Sequence, residues 1–147
     1  MRYVLDPSVA VRWYLTEERD QGAESIRIRL VEEPGLFAVP ELFGYAVFAV
    51  LFRTHPHPWK AFQQGILPLL HSGVLRYPLT EEVAQRAARF AGLGLTGYGA
   101  MYAALAEKLG ASWLTFDAEA HERIAAEKLS FDLNAGLPEG WSEASAR

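Results

Sequence analysis

The chain has 147 residues, of which half are hydrophobic and 22% are charged. A chain of this length can bury roughly two-thirds of its unfolded surface around one core, so we expect a single domain over residues 1–147. The formal net charge is −4, from 14 basic and 18 acidic residues, so the chain lacks the overall positive field that drives non-specific polyanion binding, and any nucleic-acid binding must be local. The lack of cysteine excludes disulfide scaffolds, cysteine nucleophiles and cysteine-based metal sites.

The first residues and the longest apolar run argue against secretion and membrane insertion. Asp6 interrupts the only apolar stretch near the start, which is not the residue order of a signal peptide. The longest uninterrupted apolar run, Leu42 to Phe52, has 11 residues, whereas a membrane-spanning helix needs about 20. We therefore expect a cytoplasmic protein in which this run forms a buried core helix.

Short apolar runs that end at Pro, Gly or Asp alternate with longer helix-like stretches, and this alternation predicts an α/β fold. The runs predicted as strands are short and rich in β-branched or aromatic residues; they are Arg2 to Leu5, Leu36 to Val39, Val74 to Tyr77, Ser112 to Phe116 and Leu129 to Leu133. The stretches predicted as helices are Val9 to Glu17, Gly22 to Glu32, Glu41 to Arg53, Trp59 to His71, Glu81 to Ala91, Tyr98 to Leu109 and Ala118 to Lys128.

Two of the four aspartates follow predicted strands. Asp6 closes RYVLD and Asp117 closes SWLTFD. Parallel strands joined by helices bring their carboxyl ends to one edge of the sheet, where ligands of open α/β folds bind. The two aspartates would then face the same crevice. Each could instead cap the helix that follows it, and for either residue alone this structural role is as good an explanation.

Four segments follow one another along most of the chain: YVLDPSVAVRWYL, VPELFGYAVFAVL, the tripeptide Pro78-Leu79-Thr80, and LGLTGYGAMYAALAEKLGASWLTFD. In this order they resemble the PIN-domain family, in particular the short VapC-type toxins, which are metal-dependent ribonucleases. The likeness implies a three-layer α/β/α fold with a short, mostly parallel central sheet flanked by about seven helices.

The family places three or four carboxylates around one or two Mg²⁺ or Mn²⁺ ions, which activate water and stabilise charge on the phosphate. By resemblance, Asp6 matches the first carboxylate, and Ser8 is the small hydroxyl residue two positions later. Thr115 and Asp117 match the threonine and aspartate of the fourth motif. These positions imply that Asp6 and Asp117 are the residual catalytic and metal-binding residues, with Ser8 and Thr115 in supporting roles.

Two family carboxylates are missing from this chain. The glutamate of the second motif is replaced by Ala46, and an asparagine often found three residues later is replaced by Ala49. The aspartate of the third motif is replaced by Gly99. Glu41 does not substitute for Ala46, because five residues on a helix rotate its side chain about 140° away from that position. Since Mg²⁺ needs several oxygen ligands and negative charge, we expect weak metal binding or none.

The resemblance and the missing carboxylates together lead to three functional expectations. The first is a PIN-domain protein with a degenerate acidic site that is catalytically weak or inactive and acts by binding RNA or protein. The second is an active metal-dependent endoribonuclease, the toxin of a toxin–antitoxin pair, in which the remaining residues hold Mg²⁺ or Mn²⁺. The third is a non-catalytic structural subunit. The implied partners are a second copy in a homodimer, a small antitoxin-like protein, and RNA.

The sequence His55-Pro56-His57-Pro58-Trp59 has the alternation of a metal or recognition motif. Alternating prolines keep a chain extended, and no third metal ligand is close in sequence. We therefore interpret this segment as a stiff connector between two helices.

Overall fold

A computed structural model describes residues 2–141 of the chain. In this part, five parallel strands form one sheet in the order β3-β2-β1-β4-β5. All five strands predicted from the sequence are confirmed, with ends that differ by at most one residue. The strands are β1 (Tyr3–Leu5), β2 (Phe37–Pro40), β3 (Leu75–Tyr77), β4 (Ser112–Thr115) and β5 (Ser130–Asp132).

The first strand lies at the centre of the sheet, between β2 and β4. Val4 is in register with Trp113 of β4, and Leu5 with Leu114. All three residues of β1 and all four of β2 are buried, because helices cover both faces of a parallel sheet. The sheet edge at which β1 and β4 end is therefore fixed by a fully packed core.

Seven helices flank the sheet in the described residues, as the α/β/α architecture requires. The fourth of them is continuous but has two labels, because a π-helical turn, Phe62–Ile66, joins its first part, α4 (Pro58–Ala61), to its second part, α5 (Leu67–Leu70). The helical segments are α1 (Pro7–Val11), α2 (Gln21–Glu32), α3 (Leu42–Thr54), α4 (Pro58–Ala61), α5 (Leu67–Leu70), α6 (Glu81–Gly92), α7 (Gly97–Leu109) and α8 (Ala118–Ile124).

The first and last helices are shorter than the sequence predicts. Helix α1 ends at Val11 instead of Glu17, and the indole of Trp13 donates a hydrogen bond to the carbonyl of Ala23 on α2 at 2.7 Å. This bond ties the chain to the next helix just after α1. Helix α8 ends at Ile124, and a 3₁₀ turn then leads to Lys128, whose φ of 57° is left-handed and stops further helix.

Helix α3 is only partly buried, so the expectation of a fully buried core helix is wrong for this chain by itself. Phe43, Val47 and Leu51 face the core. The opposite side of the helix exposes Phe48 by 39% and Phe52 by 45%, and their rings stack at 4.2 Å between centroids. No helix in residues 2–141 is both long enough and apolar enough to cross a membrane.

Candidate functional site

Asp6 and Asp117 lie at the carboxyl ends of two neighbouring parallel strands. Asp6 follows the last residue of β1, and Asp117 lies two residues beyond the end of β4. Asp6 is half-buried, whereas Asp117 is exposed. Both line one cleft of about 640 Å³ at this edge of the sheet. The structure therefore brings together the two aspartates that follow strands, as the topology predicts.

Each of these aspartates also caps a helix. The backbone N–H of Ser8 donates to Asp6 Oδ2 at 2.9 Å at the start of α1. The backbone N–H of Ala120 donates to Asp117 Oδ1 at 3.0 Å at the start of α8. The capping role and the position beside the cleft, which the sequence presents as alternatives, therefore coexist at both residues.

Trp113 occupies the space next to Asp6. Its indole N–H donates to Asp6 Oδ1 at 3.0 Å, and its side chain is buried and stacked on the ring of Tyr102, with centroids 5.9 Å apart. With the bond from Ser8, both oxygens of the Asp6 carboxyl accept a hydrogen bond from the protein. The partial positive charge of the indole N–H thus points at Asp6 Oδ1.

Burial raises the pKa of Asp6 above its ordinary value, because a buried site disfavours the charged carboxylate. Hydrogen bonds from Ser8 and Trp113 act in the opposite direction, since they stabilise the charged form. The nearby negative charge of Asp117 adds a smaller upward contribution to the pKa. The indole and the Ser8 amide therefore offset part of the cost of burying this carboxylate.

The hydroxyl groups of Ser8 and Thr115 accept hydrogen bonds from backbone N–H groups and do not line the cleft. Ser8 Oγ accepts a hydrogen bond from the N–H of Phe116 at 3.1 Å. Thr115, which is fully buried, accepts one from the N–H of Asp117 at 3.0 Å. These bonds connect the end of β4 to α1 and fix the backbone that carries the two aspartates.

Ala46, Ala49 and Gly99 lie on the walls of the same cleft, at the positions where the family has polar residues. A Cβ atom added at Gly99 would lie 3.2 Å from Thr96 Oγ1 and 3.9 Å from Trp113 Cη2. A longer side chain here would therefore compete for space with Thr96 and the end of the indole.

Aromatic groups make up much of the cleft. Tyr45 and Tyr98 are exposed by 76% and 73% at its rim. Tyr102 is deeper, and among residues 2–141 its hydroxyl has no hydrogen-bond partner. Burial raises the pKa of Tyr102 far above its ordinary value, so this hydroxyl stays protonated. The cleft combines apolar walls with few charged groups.

The donor groups of the cleft do not fit a metal centre of the kind that the resemblance implies. Across the described range, no three His, Asp or Glu side chains are close enough together to hold a metal ion. Asp20 and Asp132 cap other backbone turns, at Ala23 and Asn134, and do not line the cleft. Of the three carboxylates that line the cleft, Glu119 is paired with Arg123, and the remaining two give too few oxygen ligands and too little negative charge for a pair of divalent ions.

Three side chains of the cleft were not predicted from the sequence. Trp113 could have been found from strand alternation, because it lies two residues before Thr115 and thus on the same face of β4. Glu119 and Arg123 form an ion pair at 2.6 Å on α8 and also line the cleft. Their i, i+4 spacing is visible in the sequence, but nothing in the sequence places that face of α8 over the strand ends.

Comparison with known families identifies the fold. The family model described as PIN domain matches residues 3–127. The chain belongs to the PIN-domain family. This match confirms the resemblance drawn from the motifs, and it covers every strand of the PIN domain except β5. A search of curated proteins finds no match.

Solved structures share the fold at low sequence identity. The crystal structure of PAE2754 from Pyrobaculum aerophilum is 22% identical, with a TM-score of 0.65, and the alignment covers 92% of this chain and 91% of that one. FitAcB from Neisseria gonorrhoeae is 16% identical, with a TM-score of 0.67 over 88% of this chain and 96% of that one. FitAB bound to an IR36 DNA fragment is 17% identical, with a TM-score of 0.66 over 88% and 93%.

Proposed function

We propose that this PIN-domain protein is VapC-like in origin but acts by binding, with weak or no phosphodiester cleavage. The observation that carries the proposal is the state of Asp6. Its two oxygens already accept hydrogen bonds from Trp113 and Ser8 within the protein. The positions that supply further carboxylates in the family are Ala46 and Gly99.

The missing carboxylates give a physical reason to expect weak metal binding or none. Clustered carboxylates without a cation repel one another and raise each other's pKa. Replacing two of them by Ala46 and Gly99 removes this repulsion, and the indole of Trp113 gives Asp6 a neutral hydrogen-bond donor instead. The cleft is then stable without a divalent ion, at the expense of the ligands that a nuclease requires.

The proposed partner is a small antitoxin-like protein. The resemblance to VapC-type toxins supports a toxin–antitoxin type of partnership for this chain, and the structurally similar FitAB is described as bound to a DNA fragment. RNA is the alternative ligand, retained from the ribonuclease ancestry. Either partner would place the protein in the cytoplasm, where we expect it.

The exposed aromatic face of α3 supports a homodimer. Phe48 and Phe52 stack on each other and remain 39% and 45% exposed. A surface of this kind is unusual for a monomer of this size, and a second copy would cover it.

A working endoribonuclease is the second candidate function. It is favoured by the fact that Asp6 and Asp117 line the same cleft at the carboxyl ends of adjacent strands. In that case Asp6 and Asp117 would be the catalytic and metal-binding residues, Ser8 and Thr115 would position them, and the cofactor would be Mg²⁺ or Mn²⁺. A non-catalytic structural subunit of a larger assembly is the third candidate.

A ribonuclease assay with restored carboxylates tests the proposal. The wild type, Asp6→Asn and the variant Ala46→Glu/Gly99→Asp/Trp113→Leu are each incubated with single-stranded and structured RNA in Mg²⁺ or Mn²⁺. Trp113→Leu is included because the indole lies 3.9 Å from the site of the restored side chain and bonds Asp6. We expect no metal-dependent cleavage by the wild type and measurable cleavage by the restored variant.

Two outcomes separate the candidates. Metal-dependent cleavage by the wild type that is lost in Asp6→Asn would establish the nuclease and overturn the binding proposal. If the restored variant folds, as judged by circular dichroism, but neither cleaves RNA nor binds Mn²⁺, the missing carboxylates are not the reason for the inactivity.

A further inference from the structure

A second concave site lies away from the carboxylate cleft. It has a volume of about 520 Å³, within the range of small-molecule pockets. Four of its lining residues have basic side chains, and its floor is apolar and formed by Ala61, Gly65, Pro68 and Leu69. We call it the basic pocket, and its polar lining residues are Tyr14, Arg27, His55, His57, Lys60 and Gln64.

The charge of the basic pocket is of one sign. No aspartate or glutamate lines it, although the chain as a whole carries a net charge of −4. Arg27 pairs with Glu24 at 3.0 Å, but Glu24 itself does not line the pocket. Within residues 2–141, Lys60 forms no ion pair. The pocket therefore presents two permanent cations, of which Lys60 has no counterion in the described residues while Arg27 already bonds the Glu24 carboxylate through Nε and Nη2.

The two histidines are arranged by the segment that the sequence analysis interpreted as a connector. The backbone N–H of His57 donates to His55 Nδ1 at 2.9 Å. Because Nδ1 accepts this bond, the neutral His55 ring carries its proton on Nε2, which makes Nε2 a hydrogen-bond donor. The alternating prolines thus hold both rings at the pocket wall instead of merely linking two helices.

Tyr14 is packed against the helix that forms the pocket floor. A Cβ atom at Gly65 would lie 2.5 Å from Cε1 of the Tyr14 ring, so only glycine allows this contact. Gly65 belongs to the π-helical turn, a distortion that occurs often at functional sites. Burial raises the pKa of Tyr14, so its hydroxyl is protonated and able to donate. The glycine in the π-helical turn therefore allows the Tyr14 hydroxyl to lie beside this helix, at the wall of the pocket.

We propose that the basic pocket binds a small phosphate ester, with the phosphate among Arg27, Lys60 and the two histidines. The apolar floor accommodates the organic part of such a molecule, and a nucleoside monophosphate has a suitable size. Guanidinium, ammonium and imidazole groups are the usual donors to phosphate oxygens, and hydrogen bonds to a charged partner are stronger than neutral ones.

This inference is independent of the carboxylate cleft. Leu42, Tyr45 and Ala49 of α3 line the cleft, whereas the basic pocket begins beyond the last residue of the same helix, Thr54. Binding in the pocket requires neither Asp6 nor Asp117. Asp6→Asn should therefore leave phosphate-ester binding unchanged, and failure of one proposal does not imply failure of the other.

Histidine NMR signals provide the test, with an internal control. The full-length protein carries four histidines, of which His55 and His57 line the pocket while His71 and His121 do not. Adenosine 5′-monophosphate, inorganic phosphate and adenosine are titrated at millimolar concentration. We expect saturable shifts of the His55 and His57 ring signals with the monophosphate, weaker ones with phosphate, and none with adenosine.

Charge variants assign the binding to this site. Lys60→Gln should weaken binding of the monophosphate about tenfold, equivalent to about 1.4 kcal/mol, because it removes one charged hydrogen-bond donor to the phosphate. Arg27→Gln/Lys60→Gln should abolish it. Arg76→Gln, which removes one exposed positive charge outside the pocket, should have no effect.

Three results of these titrations would overturn the proposal. They are equal shifts at all four histidines, undiminished binding by the double variant, and a response to adenosine equal to that to the monophosphate. Binding only to RNA without a terminal phosphate would also overturn it, because the site would then recognise the polymer backbone.

Discussion

Asp6 contributes to the stability of the fold as well as to the candidate site. Its carboxyl group is half-buried and held by one indole and one amide donor. Removing a hydrogen-bond donor from a buried carboxylate strongly destabilises the folded protein, because the charge that remains is neither solvated nor paired. Trp113 is therefore a structural partner of Asp6 as well as an obstacle to restoring the acidic site.

Trp113→Phe should lower the free energy of unfolding by about 1.5–3 kcal/mol near neutral pH, because it deletes a hydrogen bond to a charged group. Chemical denaturation measures the change. Tyr102→Phe is the matched control, since it also removes one polar atom from the stacked ring pair but, in the described residues, breaks no hydrogen bond. This control should be neutral or slightly stabilising. Equal losses in both variants would contradict the importance of the indole bond.

The raised pKa of Asp6 predicts a specific pH dependence. The native state keeps the Asp6 proton at pH values at which the unfolded chain, with an ordinary pKa near 3.8, has lost it. This residue therefore stabilises the fold most below that pH, and its contribution is lost as the pH rises through the native pKa. Comparing unfolding of the wild type and Asp6→Asn from acid to neutral pH isolates this contribution. A difference that grows in the opposite direction would show that the native pKa is lowered.

The sequence predicts that helix α3 forms, but it does not predict which face of the helix is exposed. Its apolar run correctly predicts a helix at nearly the observed bounds, Leu42–Thr54. Because almost every residue is apolar, the run has no polar side to indicate which face is exposed. Only the packing partners show that Phe43 is buried while Phe48 is exposed.

The exposed face of α3 also predicts an oligomeric state. Phe48→Ser/Phe52→Ser should convert a dimer into a monomer at equal protein concentration, because a dimer interface depends on a few buried aromatic side chains. Light scattering after size-exclusion chromatography measures the mass. Leu93→Ser, which alters another exposed apolar residue, is the control and should leave the dimer intact. A wild-type monomer would refute the proposed interface.

Other elements were predicted less well for identifiable reasons. The sequence predicts one helix from Trp59 to His71 but not its π-helical turn, in which Gly65 lies against the ring of Tyr14 from a distant part of the chain. Helix α1 is overestimated because a tertiary hydrogen bond from Trp13 to α2 outweighs local helix propensity. Strands were predicted better, since continuous apolar runs are typical of buried parallel strands.

For the whole molecule, the parallel topology of the sheet made part of the candidate site predictable from the sequence. The position of Asp6 and Asp117 at one sheet edge follows from parallel strands and strand ends alone. The contact of Trp113 with Asp6 joins residues far apart in sequence, which no spacing rule predicts. The pair of Glu119 and Arg123 has the i, i+4 spacing of a helix, but its position over the strand ends is set by tertiary packing. The basic pocket was missed for the same reason, since Tyr14 and Arg27 join it from a distant part of the chain.

We expect the chain to unfold as one domain. One core of buried residues connects the sheet with helices on both of its faces. Thermal unfolding followed by circular dichroism and by tryptophan fluorescence should therefore give coincident single transitions. Two separated transitions would show that the chain contains independently folding parts.

The central claim is that this PIN domain lacks the oxygen ligands needed to hold catalytic metal ions. Electron paramagnetic resonance of Mn²⁺ measures it directly, because the signal of the free ion decreases when the ion binds to protein. We predict that adding wild-type protein leaves the free Mn²⁺ signal unchanged at millimolar concentrations. Stoichiometric loss of that signal with the wild type, reversed by Asp6→Asn, would contradict the claim.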